Sequence, residues 1–462
     1  MNACRSPPRW HPVTVDAREV NLTLDFCLRV GELLISTGAG AADVTATMRS
    51  LSQHLGLRGA EVDVTYTSLS MSYQADPEAI PIHTTRQVKN RTIDYDHLTA
   101  VDHLVRQVVR DEVDLQGARI ALGRIISGGH RRPRWAATLG MAVMAAAFTV
   151  YVGGDPWVVV LSFISGASID QLQHLLHRRW RLPLFYLQVA GAGLATLLAV
   201  IAAALPLDLD VSTSITANIT VMLAGISFMG ALQDALTGFH VTASARIMEA
   251  LVSTAGIIAG VTGGLVFASA VGVPIHGAVS SGTSTLQSIT LATGGGAVGA
   301  AAFAYAAYAP KRTLLPIAVI AGIAVVLSIV VPGDVGRTWR VAVAALFIGL
   351  IAYSVATRLK VPPLVIVVSS VVPFLPGYSI YRGLTMLAQE TPATTSVGLV
   401  ALFTAASVAL ALASGVYLGE YIAQPLSRRS WRIETRLSGP RLVGPLRKDR
   451  TAAPVPVAET DS

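Results

Sequence analysis

Beyond Trp135 the chain becomes a succession of apolar runs, each about as long as a membrane is thick, and this feature limits its fold more than any other. A helix that crosses a bilayer needs about 20 mostly apolar residues. Ten stretches qualify: 135–152, 157–174, 184–206, 213–237, 245–273, 292–309, 314–332, 338–357, 361–380 and 393–418. In the ninth, Pro362, Pro363, Pro373 and Pro376 interrupt the pattern. Only 14% of the 462 residues are charged, against about a quarter in soluble domains. That deficit is confined to the region after Trp135, because residues 1–134 carry charge at ordinary soluble density. The expected architecture is an all-α polytopic membrane bundle preceded by a separate water-soluble domain.

The loops between spans orient the bundle, since Lys and Arg accumulate on the cytoplasmic side. With the N-terminus inside, the inner segments hold Arg131, Arg132, Arg134, Arg178, Arg179, Arg181, Arg246, Lys311, Arg312, Arg358, Lys360, Arg428, Arg429 and Arg432. The outer segments hold Arg337, Arg340 and Arg382. Fourteen against three favours an even number of crossings with both termini cytoplasmic. The opening MNACRSPPRWHPV lacks the apolar core of a secretory signal, which agrees with a cytoplasmic first domain. The net charge of +7 is accounted for by these topological clusters and the basic C-terminal tail, so no nucleic-acid partner is expected.

Within the first domain, Val20, Leu24, Cys27, Leu28, Leu34 and Ile35 keep the helical period. Val44, Met48, Leu51 and Leu55 do the same after the Gly38–Gly40 turn. Val62, Val64 and Tyr66, then Leu69, Met71 and Tyr73, alternate with polar residues as half-buried strands do. A third strand is expected over Gln87–Ile93, then helices through Leu98–Val109 and Ala118–Ile126. The domain is thus α+β over 19–134. Residues 1–18 and 428–462 are expected to be disordered tails, the latter because its Arg-, Pro- and Ala-rich composition buries too little surface. Cys4 and Cys27 have no metal-ligand or redox spacing, and His54, His83, His97 and His103 form no HExxH or paired-ligand pattern. Neither a metal, a cofactor nor a catalytic residue is expected. The Gly294–Gly296 run has no lysine or preceding strand, and close helix packing is its default reading.

A weak internal repeat divides the apolar region into halves at 135–273 and 292–420. Arg179-Trp180-Arg181-Leu182-Pro183 resembles Arg358-Leu359-Lys360-Val361-Pro362, and Gly230 and Gly377 each interrupt an apolar run ahead of polar residues. Five spans per half would make the repeats inverted, and interrupted spans in corresponding places point to a transporter's substrate site. An ionised side chain within a span costs several kcal/mol unless it meets a partner, water or substrate. Asp170, Asp234 and Glu249 are the acids in that position. Asp170 is either functional or paired with His174 one turn on. Glu249 suits a first helical turn beside Arg246. Asp234 follows Gly230 and Gln233 in a run that could unwind and expose carbonyls to an ammonium, and otherwise reads as a buried acid joining two helices. Arg382, after PFLPGYSIY, could meet a carboxylate or simply be solvated.

Several segments together resemble the bacterial threonine/serine exporter family. They are Gly31-Glu32-Leu33-Leu34 with Ser36-Thr37-Gly38-Ala39, the strands VDVTYTSLSMSY, the helix end from Ala118 to Ile125, and PFLPGYSIYRG. The similarity extends from about Leu22 to Tyr421. It implies a cytoplasmic N-terminal domain, ten spans in the bacterial cytoplasmic membrane, and export of small hydroxy amino acids driven by the proton-motive force. Related two-subunit systems handle dicarboxylates, so the resemblance leaves the substrate open. It assigns no site residue. Protons and the bilayer are then partners, with a homo-oligomer left open. The competing readings are a membrane-anchored enzyme using residues 1–134 and a passive channel.

Overall fold

The computed structural model describes residues 17–89, 91–130, 132–204, 213, 215, 217–219, 222, 224–272, 285–332, 336–387 and 392–423. The expected tails lie outside these residues, except that Ala17 and Arg18 already belong to the first helix. Arg131 also lies outside them.

The N-terminal domain begins with a hairpin of α1 (Ala17–Ser36) and α2 (Ala41–His54). Every apolar residue named above for α1 is buried, as are Val44, Met48 and Leu51 of α2. A three-stranded antiparallel sheet follows in the order β1 (Glu61–Val64), β2 (Ser68–Tyr73), β3 (Ile82–Gln87). In β2, Leu69, Met71 and Tyr73 face the core and the serines do not, as the alternation requires. The third strand is earlier than expected. Its inner face, Ile82, Thr84 and Arg86, has a single apolar residue, which hides it from a hydrophobic pattern. Arg86 holds its half-buried place by pairing with Glu32 and Asp25 of α1. Helices α3 (Tyr95–Val109) and α4 (Leu115–Ser127) complete the domain, each started by an aspartate cap, Asp94 and Asp114.

The apolar region continues as α5 (Arg134–Val152), α6 (Pro156–Trp180), α7 (Leu184–Ala203), α8 (Ala224–Leu236), α9 (His240–Ala270) and α10 (Thr285–Ala306). It ends with α11 (Lys311–Val330), α12 (Arg337–Leu359), α13 (Pro363–Val371), α14 (Gly377–Leu387) and α15 (Pro392–Ala423). Among the described residues seven helices, α5, α7, α9, α10, α11, α12 and α15, are long and apolar enough to cross a membrane. The other three expected spans differ for identifiable reasons. The second half of α6 carries Asp170, Gln171, Gln173, His174 and His177, which lowers its hydropathy. Part of the expected span 213–237 lies outside the described residues, and the described helix α8 has 13 residues. The ninth stretch is broken: a 3₁₀ turn at Val372–Phe374 and an extended Leu375 separate α13 from α14, as Pro373 and Pro376 would impose.

Helices α5 with α10, α7 with α9, and α12 with α15 are the closely packed pairs. Glycines set their separation. A Cβ on Gly295 would lie 2.6 Å from the Ala147 carbonyl, on Gly260 2.4 Å from that of Val189, and on Gly349 2.3 Å from that of Val416. The neighbour pattern also recurs, since α5–α6, α6–α7 and α7–α9 contacts are mirrored by α10–α11, α11–α12 and α12–α15. Helix α8 touches α15, while α14 touches α9. The pentapeptide likeness has a different origin. Arg181 and Lys360 are left-handed helix ends followed two residues later by a proline that starts the next helix, and Tyr308 with Pro310 does the same at a third turn. It is a local device for reversing the chain, repeated at three turns, and it joins α6–α7 and α12–α13, which do not correspond in the neighbour pattern.

Candidate functional site

The site lies where the α1–α2 turn of the N-terminal domain meets α8, α9 and α13. Helix α1 ends in a turn closed by Gly38, which adopts φ 109°, while Ala39 N–H donates to Leu34 O at 3.0 Å and Gly38 N–H to Ile35 O at 3.4 Å. The spare carbonyls of Ser36 and Thr37 accept from Thr92 and Asp94 N–H, which holds the Arg91–Asp94 segment alongside. Helix α2 starts at Ala41 after Gly40, which has no side chain to cap it. Asp234, on α8, supplies the missing acceptor. Ala41 N–H donates to Asp234 Oδ1 at 3.0 Å, so a side chain 193 residues away caps the helix.

Asp234 is 1% exposed and faces two guanidinium groups. Arg246 Nε, from α9, is 3.2 Å from Asp234 Oδ2, and Arg246 Nη2 donates to Ala39 O at 3.3 Å. Arg91 stacks on the Tyr66 ring at 3.6 Å from its centroid and donates to the Tyr66 carbonyl. Burial, with Arg246 close by and Asp234 partly offsetting it, pushes the Arg91 guanidinium down to about 10, which leaves it charged at neutral pH. Gly230 makes room for this arrangement: a Cβ there would lie 2.6 Å from Arg246 Nη1. The expected unwinding at Gly230 is absent, because α8 runs through it as a continuous helix.

Arg91, Arg246, Tyr66, Ser227, Gln233 and Glu249 line a cavity of about 170 Å³ beside the turn. On the other side of Gly40 a second cavity, about 110 Å³, is lined by Asp43, Asp102, Gln233, Tyr353 and Glu420. Gln233 borders both. Glu249 was expected in a first turn beside Arg246, but α9 begins at His240, which removes the helix-dipole argument, and Arg246 is taken by Asp234. Among the described residues Glu249 forms no ion pair, and its carboxylate is half-buried at the cavity wall.

Four of the seven candidate residues, Gly230, Gln233, Asp234 and Glu249, therefore meet at one place. The others do not join them. Asp170 pairs with Arg134 at 2.8 Å and accepts from Thr138 Oγ1 at 2.7 Å, so it ties α6 to α5, not to His174. Gly377 starts α14 after the proline break, and Arg382 is exposed on that helix. Arg91, Tyr66 and Glu420 are not among the candidate residues that the sequence singles out. The first two sit in the N-terminal domain, and buried Glu420 lies two residues beyond the last expected span.

Residues 25–268 match a family model described as "Putative threonine/serine exporter", and residues 294–422 match a second, "Threonine/Serine exporter, ThrE". The chain is 35% identical over 439 residues to a Mycobacterium tuberculosis protein named "Probable threonine/serine exporter", covering 92% of this chain and 81% of the relative. It is 30% identical over 444 residues to the Corynebacterium glutamicum "Threonine/serine exporter", covering 93% and 88%. No solved structure matches.

Proposed function

Because the chain belongs to the threonine/serine exporter family and is a multi-pass membrane protein, we propose that it exports threonine, serine or a similar small polar amino acid, coupled to the proton-motive force. One observation carries the substrate class: the cavity beside the α1–α2 turn presents Arg91 and Arg246 together with Glu249. A zwitterion needs both signs, and here the guanidiniums take its carboxylate, Glu249 takes its ammonium, and Ser227 and Gln233 offer partners for a hydroxyl. A dicarboxylate would find the arginines but be repelled by Glu249, which disfavours that substrate. Glu249 also gives the coupled proton a place to reside when the ammonium leaves.

The topology follows the same reading. Ten crossings comprise the seven long helices, α6, the segment ending in α8, and the broken α13–α14 unit. Both termini are cytoplasmic, in accord with the loop charges. The recurring neighbour pattern, with α8 and α14 each packed on the long helix of its own group and also touching that of the other, supports two diverged, inverted five-helix halves. The substrate cavity then opens at the inner end of the bundle beneath the soluble domain.

Proteoliposomes loaded with labelled threonine, serine or succinate test this. Threonine and serine should leave faster with the protein than without, and an imposed proton gradient should change the rate. Succinate efflux without threonine efflux would refute the zwitterion site. Threonine efflux insensitive to a protonophore would refute proton coupling and favour a passive pore.

A further inference from the structure

A second polar cluster, away from the cavity, has the composition of a transition-metal site. Asp94 caps α3, His97 lies one turn into that helix, and His130 comes from the linker that leads into α5. One donor atom from each lies within 4.8 Å of the others. Asp94 Oδ2 is 2.7 Å from His97 Nδ1 and 2.6 Å from His130 Nε2. Asp94 Oδ1 is occupied separately by the N–H groups of Asp96 and His97, both at 3.1 Å, so the cap and the cluster use different oxygens.

The hydrogen bonds alone leave a neutral His97 mismatched. Its Nδ1 faces the Asp94 carboxylate while its Nε2 is 3.4 Å from the Gly128 carbonyl. Both neighbours are acceptors, and a neutral imidazole has one N–H to donate. Either the ring is a doubly protonated imidazolium that donates to both, or a bound cation takes the place of the Nδ1 proton. A metal ion there frees Nε2–H to donate to Gly128 O, and metal-bound histidines characteristically donate their second ring N–H to a backbone carbonyl or carboxylate. From zinc bond lengths of about 2.0 Å, tetrahedral donors stand about 3.3 Å apart. The two Asp94–histidine contacts must therefore open by a little over half an ångström. The two rings, with 20% and 30% of their side-chain surface exposed, have room to do so, whereas Asp94, at 8%, is fixed by its cap.

We propose that Asp94, His97 and His130 form a site for a divalent transition metal, zinc or a metal of similar preference, with a solvent molecule as fourth ligand. The His130 ring lies 4.0 Å from that of Tyr308 in the α10–α11 turn. The bound ion thus joins the start of α3 to the linker and, through that stack, to the apolar helices. Sequence spacing does not show the site, since the third ligand comes 33 positions after the second and from another element.

The test uses the purified full chain, stripped with chelator and titrated with zinc, then with cobalt as a spectroscopic probe. One equivalent of zinc per chain should survive gel filtration, and cobalt should give visible ligand-field bands of a low-symmetry N,O site. His130→Ala should weaken zinc binding at least tenfold and abolish the bands. Asp94→Asn should do the same while keeping the α3 cap, because asparagine caps helices as well as aspartate does. If His97 merely shares a proton with Asp94, the stripped protein retains no zinc, or the same amount as both variants, and the proposal is overturned. Gel-filtration profiles matching the unmodified protein show that each variant has folded.

Discussion

Replacing Asp234 by asparagine preserves size and the acceptor that caps α2, and removes only the charge. The amide oxygen of the replacement can still take the Ala41 N–H bond now made at 3.0 Å. What is lost is the anion 3.2 Å from Arg246 Nε, in a place where the Arg246 side chain is 11% exposed. Removing one partner of a buried pair costs about 3–5 kcal/mol. The lower figure applies here, since Arg246 keeps its bond to Ala39 O and borders a cavity that also holds Glu249. The cost falls on the contact between the soluble domain and the helices, because Asp234 binds the α1–α2 turn from below. About 3 kcal/mol is a shift of roughly a hundredfold in the docked population. Hydrogen exchange at the amides of Ala39–Val44 should accelerate by a comparable factor, and threonine efflux from loaded proteoliposomes should fall. Adding Arg246→Gln to Asp234→Asn should cost little more than the worse single change, since each removes the same interaction. Unchanged exchange at the turn together with unchanged efflux would refute the assignment of Asp234 to either docking or transport.

Other consequences follow from the same contacts. Glu249→Gln keeps the shape of the cavity wall and should lower threonine efflux at least tenfold while leaving the thermal midpoint of the detergent-solubilised protein within a few degrees; normal efflux would remove Glu249 from the site. Arg91→Lys gives up the planar stack on Tyr66, worth about 1 kcal/mol, and should raise the threonine concentration needed for half-maximal transport, whereas an unchanged value would place Arg91 outside the substrate's reach. Gly260→Val forces side-chain atoms against the Val189 carbonyl, where even a Cβ would be at 2.4 Å, and should destabilise the α7–α9 pair by about 1–3 kcal/mol or more, read as a lower melting temperature. Burial pushes the Cys27 thiol up to about 12, so in a Cys4→Ser background it should resist maleimide at pH 8 until the first domain unfolds; rapid labelling of native protein would contradict the burial of α1.

How much of this was legible beforehand depended on where each residue's partners come from. The strand at Ser68–Tyr73 and the α1–α2 hairpin were readable because periodicity reports a buried face directly. The strand at Ile82–Gln87 was not, since Arg86 fills a core-side position through ion pairs with Asp25 and Glu32. Asp234 stood out as an acid in an apolar run, yet its surroundings were misjudged. Proximity in sequence assigned Arg246 to Glu249, whereas the fold hands it to Asp234, and the second guanidinium, Arg91, arrives from the other domain. That misassignment has a functional meaning. The Asp234 carboxylate is compensated by the N-terminus of α2, by Arg246 held on Ala39 O, and by Arg91. Two of these three belong to the N-terminal domain. Lifting that domain would therefore re-expose Asp234 and Arg246 to water at the moment the cavity beside them opens, so docking of the domain and the electrostatics of the site are a single interaction. If the proposed pathway loads from the side that this domain covers, substrate entry must exchange those contacts for water or substrate, and the α1–α2 turn would be its gate.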